Sequence, residues 1–148
     1  MFKTIGILSP GDMGHAVGGR LAENGLRVVA ALGDRSERTR RLAAQAGIED
    51  VGDYTGLVRA ADAILCILVP AEAEATAQRV ADALAATGAS LLYADCNAIA
   101  PQTVQRISQV ITGAGSRFVD ASIIGGPPRP GYTPRFYASG PGAAGFAA

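Results

Sequence analysis

The chain has 148 residues, which fits one domain of ordinary size with a buried core and no need for disulfide or metal staples. Apolar residues make up 49% and charged residues 18%, which excludes an intrinsically disordered chain. The 13 lysines and arginines balance the 13 aspartates and glutamates, so a nucleic acid is not expected as the main ligand.

The two cysteines, Cys66 and Cys96, lie within apolar runs. Their spacing matches no zinc motif and two cysteines make no disulfide framework, so we interpret them as buried free thiols and expect no metal site. The longest apolar stretch, residues 63–71, is far shorter than the ~20 residues that span a bilayer. Met1 leads directly into a predicted strand, with no signal segment before it. We therefore predict a cytoplasmic protein with no membrane partner.

Short apolar runs alternate along the chain with segments of helical period. In chain order we predict a strand at 4–8, a helix at 12–24, a strand at 27–32, a helix at 36–46 capped by Ser36, a short strand near Val51 and a helix at 55–60. Beyond these we predict a strand at 63–68, a helix at 72–86, a strand at 91–95, a helix at 101–111 and strands at 117–121 and 135–138. This alternation predicts an α/β fold of Rossmann type, with a doubly wound, mostly parallel sheet and helices on both faces.

Ligands of such a sheet bind beyond the carboxyl ends of its strands. The loops at that edge are residues 9–14, 33–38, 69–71, 95–101 and 121–130. The last of these contains a Gly/Pro-rich run at 125–131, and a strand-like segment follows it. We interpret this run as a rigid loop within one domain and not as a linker.

The loop after the first strand stands where dinucleotide-binding folds carry the motif G-x-G-x-x-G. Ser9 replaces the first glycine, whereas Gly11 and Gly14 occupy the second and third positions. Small residues at these positions let backbone amides and a helix N-terminus approach a pyrophosphate. A cofactor-binding loop is one interpretation, and a tight strand-to-helix turn without a ligand is the alternative. The predicted cofactor-binding residues of this loop are Ser9, Pro10, Gly11, Asp12, Met13 and Gly14.

The residues after the second strand bear on which dinucleotide is bound. NAD enzymes usually place a carboxylate there for the ribose hydroxyls, whereas guanidinium groups favour the 2′-phosphate of NADP. If the strand ends at residue 32, Gly33 stands at the acid position and Arg35, Ser36 and Arg38 follow it. This arrangement favours NADP over NAD. Asp34 is the alternative, as a ribose ligand, if the strand extends further.

Four motifs occur in the order that one known family shows. Residues 5–14 are similar to the family's opening I-G-F-I-G-L-G-x-M-G, and Val69-Pro70 is similar to the end of its apolar strand beside the cofactor. Residues 95–101 lie where the family has D-x-S-T-x-x-P, and residues 120–126 where it has D-A-P-V-S-G-G. The chain thus resembles the NADP-binding domain of the 3-hydroxyacid dehydrogenase family. That family includes 3-hydroxyisobutyrate and 6-phosphogluconate dehydrogenases and has imine reductases as relatives.

The resemblance implies an oxidoreductase that transfers a hydride between NADP and a small hydroxyacid- or imine-type substrate. It adds Val69, Pro70 and Asn97 to the expected cofactor-binding residues. It also implies substrate-binding roles for Asn97, Ser122, Gly125 and Gly126. Two departures leave the substrate itself unassigned: Asn97-Ala98 replaces Ser-Thr, and Ile124 replaces the serine before the glycines.

In the family, a helical second domain carries the catalytic lysine on the long helix that leads into it. Lys3 is the sole lysine of this chain and stands before the first strand, at the edge opposite to the ligand loops. We therefore expect residues 1–148 to be the dinucleotide-binding domain, without the helical domain and without a catalytic residue, and inactive alone. The resemblance implies a homodimer for the complete protein.

The histidine His15 falls in the first predicted helix, and we interpret it as a packing or cofactor-edge residue. Two other functions stay open at this point. One is a stand-alone dinucleotide-binding or sensor module without catalysis. The other is a doubly wound domain that uses a different nucleotide, such as an S-adenosylmethionine-dependent methyltransferase.

Overall fold

The computed structural model describes residues 1–147. The strands are β1 (Thr4–Leu8), β2 (Arg27–Ala30), β3 (Glu49–Asp50), β4 (Ala63–Cys66), β5 (Leu92–Asp95), β6 (Arg117–Ile124) and β7 (Arg135–Ser139). The helices are α1 (Asp12–Glu23), α2 (Glu37–Gln45), α3 (Tyr54–Ala60), α4 (Ala73–Thr87), α5 (Pro101–Gly113) and α6 (Ala143–Ala147). A single 3-10 turn, Pro70–Glu72, precedes α4.

The strands form one sheet in the order β3-β2-β1-β4-β5-β6-β7. Strands β1 to β6 are parallel, and β7 alone runs antiparallel, paired with β6. The predicted Rossmann-type sheet is therefore confirmed. The strand order reverses between β1 and β4, and in open sheets of this kind the ligand crevice lies outside that reversal.

Apolar side chains fill a layer on each face of the sheet, because the parallel strands are covered by helices on both sides. All four residues of β4 are buried, as expected for a central strand. The layer beneath α3, α4 and α5 includes Leu57, Ile64, Val80, Leu84 and Ile107. The layer beneath α1 and α2 includes Ile7, Val17, Val28, Ala43 and Leu65. Consequently α1 and α4 lie on opposite faces of the sheet.

The structure corrects the predicted end of β6. The sequence predicted a loop from residue 121, but β6 continues to Ile124 because its last residues pair with β7, from Asp120 opposite Ser139 to Ile124 opposite Arg135. The connection between the two strands, residues 125–134, is too short for a helical crossover, which needs about a dozen residues or more. The two strands therefore form an antiparallel hairpin.

Strand β4 ends at Cys66 and not at residue 68 as predicted. The backbone amide of Leu68 donates to the side chain of Asn97 instead of continuing the sheet ladder. The helix predicted from residue 72 is preceded by the 3-10 turn that begins at Pro70. The short helix α6 was not predicted, because five residues are too few to show helical periodicity.

The Gly/Pro-rich run belongs to the domain, as predicted. The guanidinium of Arg20 on α1 donates to the backbone oxygen of Arg129, at 3.0 Å, and to the hydroxyl of Thr133, at 3.2 Å. Cys66 and Cys96 are free and buried, also as predicted. Among residues 1–147, no helix has both the length and the apolar character that crossing a membrane requires.

Candidate cofactor-binding site

The loop after β1 turns sharply into α1. Ser9 has a φ of +54°, the one residue other than glycine with a positive φ among residues 1–147. This left-handed conformation costs an L-residue about 1–2 kcal/mol, which explains why a glycine is usual at this position of the motif. The amide of Gly11 donates to the backbone oxygen of Ser9 at 2.6 Å and closes the turn.

Gly11 and Gly14 are small for different reasons. A Cβ on Gly14 would lie 3.0 Å from the backbone oxygen of Ser9 and 3.3 Å from Cγ2 of Ile7, so a glycine there favours the close packing of α1 against β1. A Cβ on Gly11 would meet only the Ser9 oxygen, at 3.9 Å. The protein itself therefore leaves room at Gly11, and its small size matters only if another molecule approaches the loop.

Helix α1 begins at Asp12 without a side-chain cap, because Gly11 occupies the N-cap position. The first amides of a helix have no partner within it, and together with the helix dipole they attract anions. They lie here at the carboxyl edge of β1, beside the strand-order reversal. The loop geometry and the open face of Gly11 thus fit the pyrophosphate of a dinucleotide.

Strand β2 ends at Ala30 and not at residue 32 as predicted, so Gly33 stands three residues beyond it. Gly33 is the position where the sequence predicts that an NAD enzyme would carry an acid. Its amide donates to the backbone oxygen of Gly52 at 2.9 Å, and a Cβ on Gly33 would lie 2.8 Å from that same oxygen. Packing therefore excludes a side chain at this position. The nearby acid is Asp34, whose carboxylate accepts a hydrogen bond from Arg79 at 3.2 Å. This hydrogen bond, above all, lowers the pKa of Asp34, so the group is ionised at neutral pH.

Guanidinium groups surround the end of β2. Arg38 donates to the carboxylate of Asp12 at 2.6 Å, which joins the start of α2 to the start of α1. Arg35 lies 3.4 Å from the hydroxyl of Tyr54. Arg40 donates to the backbone oxygens at positions 32 and 33, at 3.1 and 2.7 Å. A shallow cavity of about 460 Å³ is lined by Arg35, Glu37, Arg40, Arg41 and Ala44.

Two of the predicted phosphate ligands are already engaged within the protein. The hydroxyl of Ser36 accepts from the amide of Thr39 at 3.2 Å, which confirms the predicted cap of α2. Arg38 forms the ion pair with Asp12, and both side chains remain more than half exposed.

The sequence did not predict three arginines near the end of β2 as site residues: Arg40, Arg41 and Arg79. Arg40 and Arg41 stand in an arginine-rich run that could have signalled them, whereas Arg79 lies on another helix and carries no local signal.

Asn97 joins the ends of β4 and β5 from within the protein. Its side-chain oxygen accepts from the amide of Leu68 at 2.9 Å, and its side-chain nitrogen lies 3.4 Å from the sulfur of Cys66. Its own amide donates to Asp95 at 2.9 Å. The residue is 7% exposed, so its side chain fixes the loop that carries Val69 and Pro70. A direct contact with cofactor or substrate stays a prediction.

Asp95, the last residue of β5, pairs with Asp120 in the middle of β6. Burial raises the pKa of Asp95, and the charge of Asp120 adds to this rise. Burial also raises the pKa of Asp120. One oxygen of Asp95 caps the amide of Asn97, and the other has no hydrogen-bond partner among the described residues.

The predicted substrate loop is held by Tyr132, a residue that the sequence did not identify. Its hydroxyl accepts from the amide of Gly126 at 3.2 Å. Gly125 has a φ of +118°, and a Cβ there would clash with the same hydroxyl, so this position requires glycine. Ser122 lies within β6 opposite Tyr137, and not in the loop.

The sequence predicts no catalytic role for Lys3 or His15, and these two residues lie at opposite edges of the sheet. The amide of Lys3 donates to Asp62 at 2.8 Å, at the amino edge where β1 begins, as predicted. His15 is on the first turns of α1, and its Nδ1 donates to the backbone oxygen of Gly11 at 2.7 Å. His15 therefore supports the loop after β1.

Comparison with known proteins shows the family of the chain. Residues 4–144 match a family model described as the NAD binding domain of 6-phosphogluconate dehydrogenase. An uncharacterised 28.5 kDa protein of Methanothermus fervidus, encoded in the 5′ region of its 7S RNA, is 26% identical over 121 residues. These residues make up 82% of this chain and 45% of that protein.

Solved structures share the fold. A conserved protein of unknown function, described as structurally similar to 3-hydroxyacid dehydrogenases, is 28% identical with a TM-score of 0.84, over 97% of this chain and 52% of that one. The 3-hydroxyisobutyrate dehydrogenase of Mycobacterium tuberculosis is 24% identical with a TM-score of 0.70, over 85% of this chain and 42% of that one. An imine reductase from a Pseudomonas species is 20% identical with a TM-score of 0.65, over 84% of this chain and 42% of that one. At these two lower identities the likeness concerns the fold alone. The chain spans about half the length of each of these proteins.

Replacing Asn97 by alanine should destabilise the protein, because the backbone amide of Leu68 loses its partner in a partly buried place. We expect a loss of about 1–3 kcal/mol in the free energy of unfolding, measured by urea denaturation. Asn24→Ala is the control, since the side-chain nitrogen of Asn24 donates to the backbone oxygen of Arg20 at an exposed place. Equal losses for the two variants would contradict the role assigned to Asn97.

Proposed function

The chain belongs to the family of NAD binding domains of 6-phosphogluconate dehydrogenase, and on this premise we propose that it is the NADP-binding domain of an oxidoreductase acting on a hydroxyacid- or imine-type substrate. The observation that carries the proposal is Gly11, whose missing side chain leaves a space that the protein does not use. This space faces the uncapped start of α1 at the strand-order reversal.

The proposed cofactor site uses backbone groups for the pyrophosphate and side chains for the adenosine end. The amides of the loop at 9–14 and of the first turn of α1 hold the pyrophosphate. Arg35, Ser36 and Arg38 are the proposed partners of a 2′-phosphate, to which arginine binds in bidentate fashion. Packing at Gly33 supports NADP over NAD, since it leaves no room for an acid at that position.

Val69 and Pro70 are the proposed neighbours of the nicotinamide. Both are exposed and follow the strand β4, on the far side of the crevice from the loop after β1. Asn97 holds their loop through Leu68. A nicotinamide dinucleotide bound there supplies or accepts a hydride, and this chain's residues supply its orientation.

For the substrate we propose the edge formed by Asn97, Ser122, Gly125 and Gly126. Ser122 is partly exposed on β6. The amide of Gly126 donates a hydrogen bond to the hydroxyl of Tyr132, which holds the loop in place. The resemblance of residues 95–101 and 120–126 to the substrate loops of the 3-hydroxyacid dehydrogenase family supports a small hydroxyacid or imine as the substrate class.

For the complete protein we propose a second, helical domain that supplies the acid/base group, and a homodimer. The solved relatives are about twice as long as this chain, which supports the second domain. Lys3 lies at the opposite edge, and Asp95 is buried and caps a backbone amide, so neither is proposed as the acid/base. The two free, buried cysteines suit a protein of the reducing cytoplasm, which is the proposed location.

A dinucleotide-binding or sensor module without catalysis is the second candidate. It is favoured by the same placement of Lys3, at the opposite edge, and of Asp95, which is buried and caps a backbone amide. The two candidates share the cofactor site and differ in turnover by the complete protein.

We expect NADPH to bind more tightly than NADH, because of the arginines beyond β2. Replacing Arg35 and Arg38 together by alanine should reduce the ratio of the two affinities about tenfold, since charge-assisted bonds to the 2′-phosphate are lost from a partly exposed site. Fluorescence titration with each cofactor measures this ratio. Arg117→Ala, at the amino edge of β6, is the control. Tighter binding of NADH by the unmodified protein would point to Asp34 as a ribose ligand.

Gly11→Val should fold normally and lose binding of both cofactors, because the added side chain fills the space proposed for the pyrophosphate. Circular dichroism and thermal unfolding check the fold, and calorimetric titration checks binding. Gly113→Val is the matched control, since a Cβ there meets no neighbouring atom, and Gly113 is the last residue of α5. A folded Gly11→Val protein with unchanged affinity would remove this loop from the site.

Residues 1–148 alone should bind NADPH without turning over hydroxyacids or cyclic imines, because proton transfer at the reacting group needs a positioned acid or base. A steady-state assay of NADPH formation and consumption against a panel of both substrate classes tests this. Robust turnover that survives Lys3→Ala would place the acid/base within this chain and overturn the proposed need for a second domain.

A further inference from the structure

Arg79 joins three elements at the carboxyl edge of the sheet. It lies on α4, and its guanidinium donates to the carboxylate of Asp34, beyond β2, at 3.2 Å. The same guanidinium lies over the ring of Tyr54, the first residue of α3, with 4.4 Å from its central carbon to the ring centroid. The hydroxyl of Tyr54 faces Arg35 at 3.4 Å. The stack on Tyr54 therefore holds Arg79 toward Asp34.

Asp34 carries a negative charge, whereas the arginines around it are positively charged. A free carboxylate at this place accepts hydrogen bonds from ribose hydroxyls and repels a phosphate. It is the alternative ribose ligand that the sequence left open, and the neighbouring Gly33 has no space for a side chain. Asp34 and Arg79 are both more than half exposed, so a ligand can reach either one.

We propose that Arg79 is a specificity-determining residue that sets the preference for NADP by occupying the carboxylate of Asp34. With Arg79 in place, the end of β2 offers guanidinium groups and a neutralised acid, and it accepts a 2′-phosphate. Without Arg79, the same place offers a free carboxylate and accepts unmodified ribose. Arg79 acts through Asp34, and this inference rests on the proposed binding of a dinucleotide.

The affinities for NADPH and NADH, measured by titration of the full chain, test this assignment. Arg79→Ala should lower the ratio of NADPH affinity to NADH affinity by about 3- to 10-fold, since an exposed carboxylate then faces the phosphate. Adding Asp34→Asn to Arg79→Ala should restore the ratio to near that of the unmodified protein. A general loss of stability lowers both affinities together and leaves their ratio unchanged.

Arg27→Ala is the matched control. Arg27 forms an ion pair with Glu49 at 2.8 Å, with similar exposure, but at the amino ends of β2 and β3. Its replacement should leave the ratio unchanged. An unchanged ratio in Arg79→Ala would overturn the inference, and so would a lowered ratio that Asp34→Asn does not restore, since Arg79 would then contact the phosphate itself. Binding of neither cofactor by the unmodified protein would overturn the proposed function instead.

Discussion

The candidate site depends on one constraint, the parallel pairing of β1 with β4 at the point where the strand order reverses. Both strands end at the same edge, from which α1 and α4 continue on opposite faces of the sheet. The two helices therefore diverge and leave a crevice between the loops that precede them. The buried, uncharged residues of β4 stabilise this pairing, because a central parallel strand is covered on both faces.

Around the crevice, side chains that are buried or partly buried hold the backbone of the loops in place. Gly14 lets α1 approach β1 closely enough to bring its first amides to the edge. Asn97 holds the end of β4 through the amide of Leu68, and Tyr132 holds the amide of Gly126. In each case a side chain or its absence fixes a backbone group, and this rigidity is what a preorganised binding site needs.

A net charge of zero conceals a strongly uneven distribution of charge. The segment at 35–41 holds four arginines, and Arg79 adds a fifth from α4. Two nearby acids, Asp12 and Asp34, each form an ion pair with one of these arginines, and Glu37 lies within the same segment. The overall balance therefore argues against binding a polyanion, while the local excess is suited to a single phosphate group.

The sequence by itself determined the order of strands and helices, the α/β class, the cap at Ser36 and the loops at the ligand edge, because these follow from periodicity and from local backbone preferences. Only the tertiary structure decided which side chains meet. The pairing of β6 with β7 moved Ser122 and Ile124 from a loop into a strand, and Asn97 was shown to face inward. The contact of Asp34 with Arg79 joins residues 45 positions apart, and that of Arg38 with Asp12 joins residues 26 apart. Local sequence patterns do not predict such contacts. The contacts arise only when the crossovers bring separate helices to one edge of the sheet.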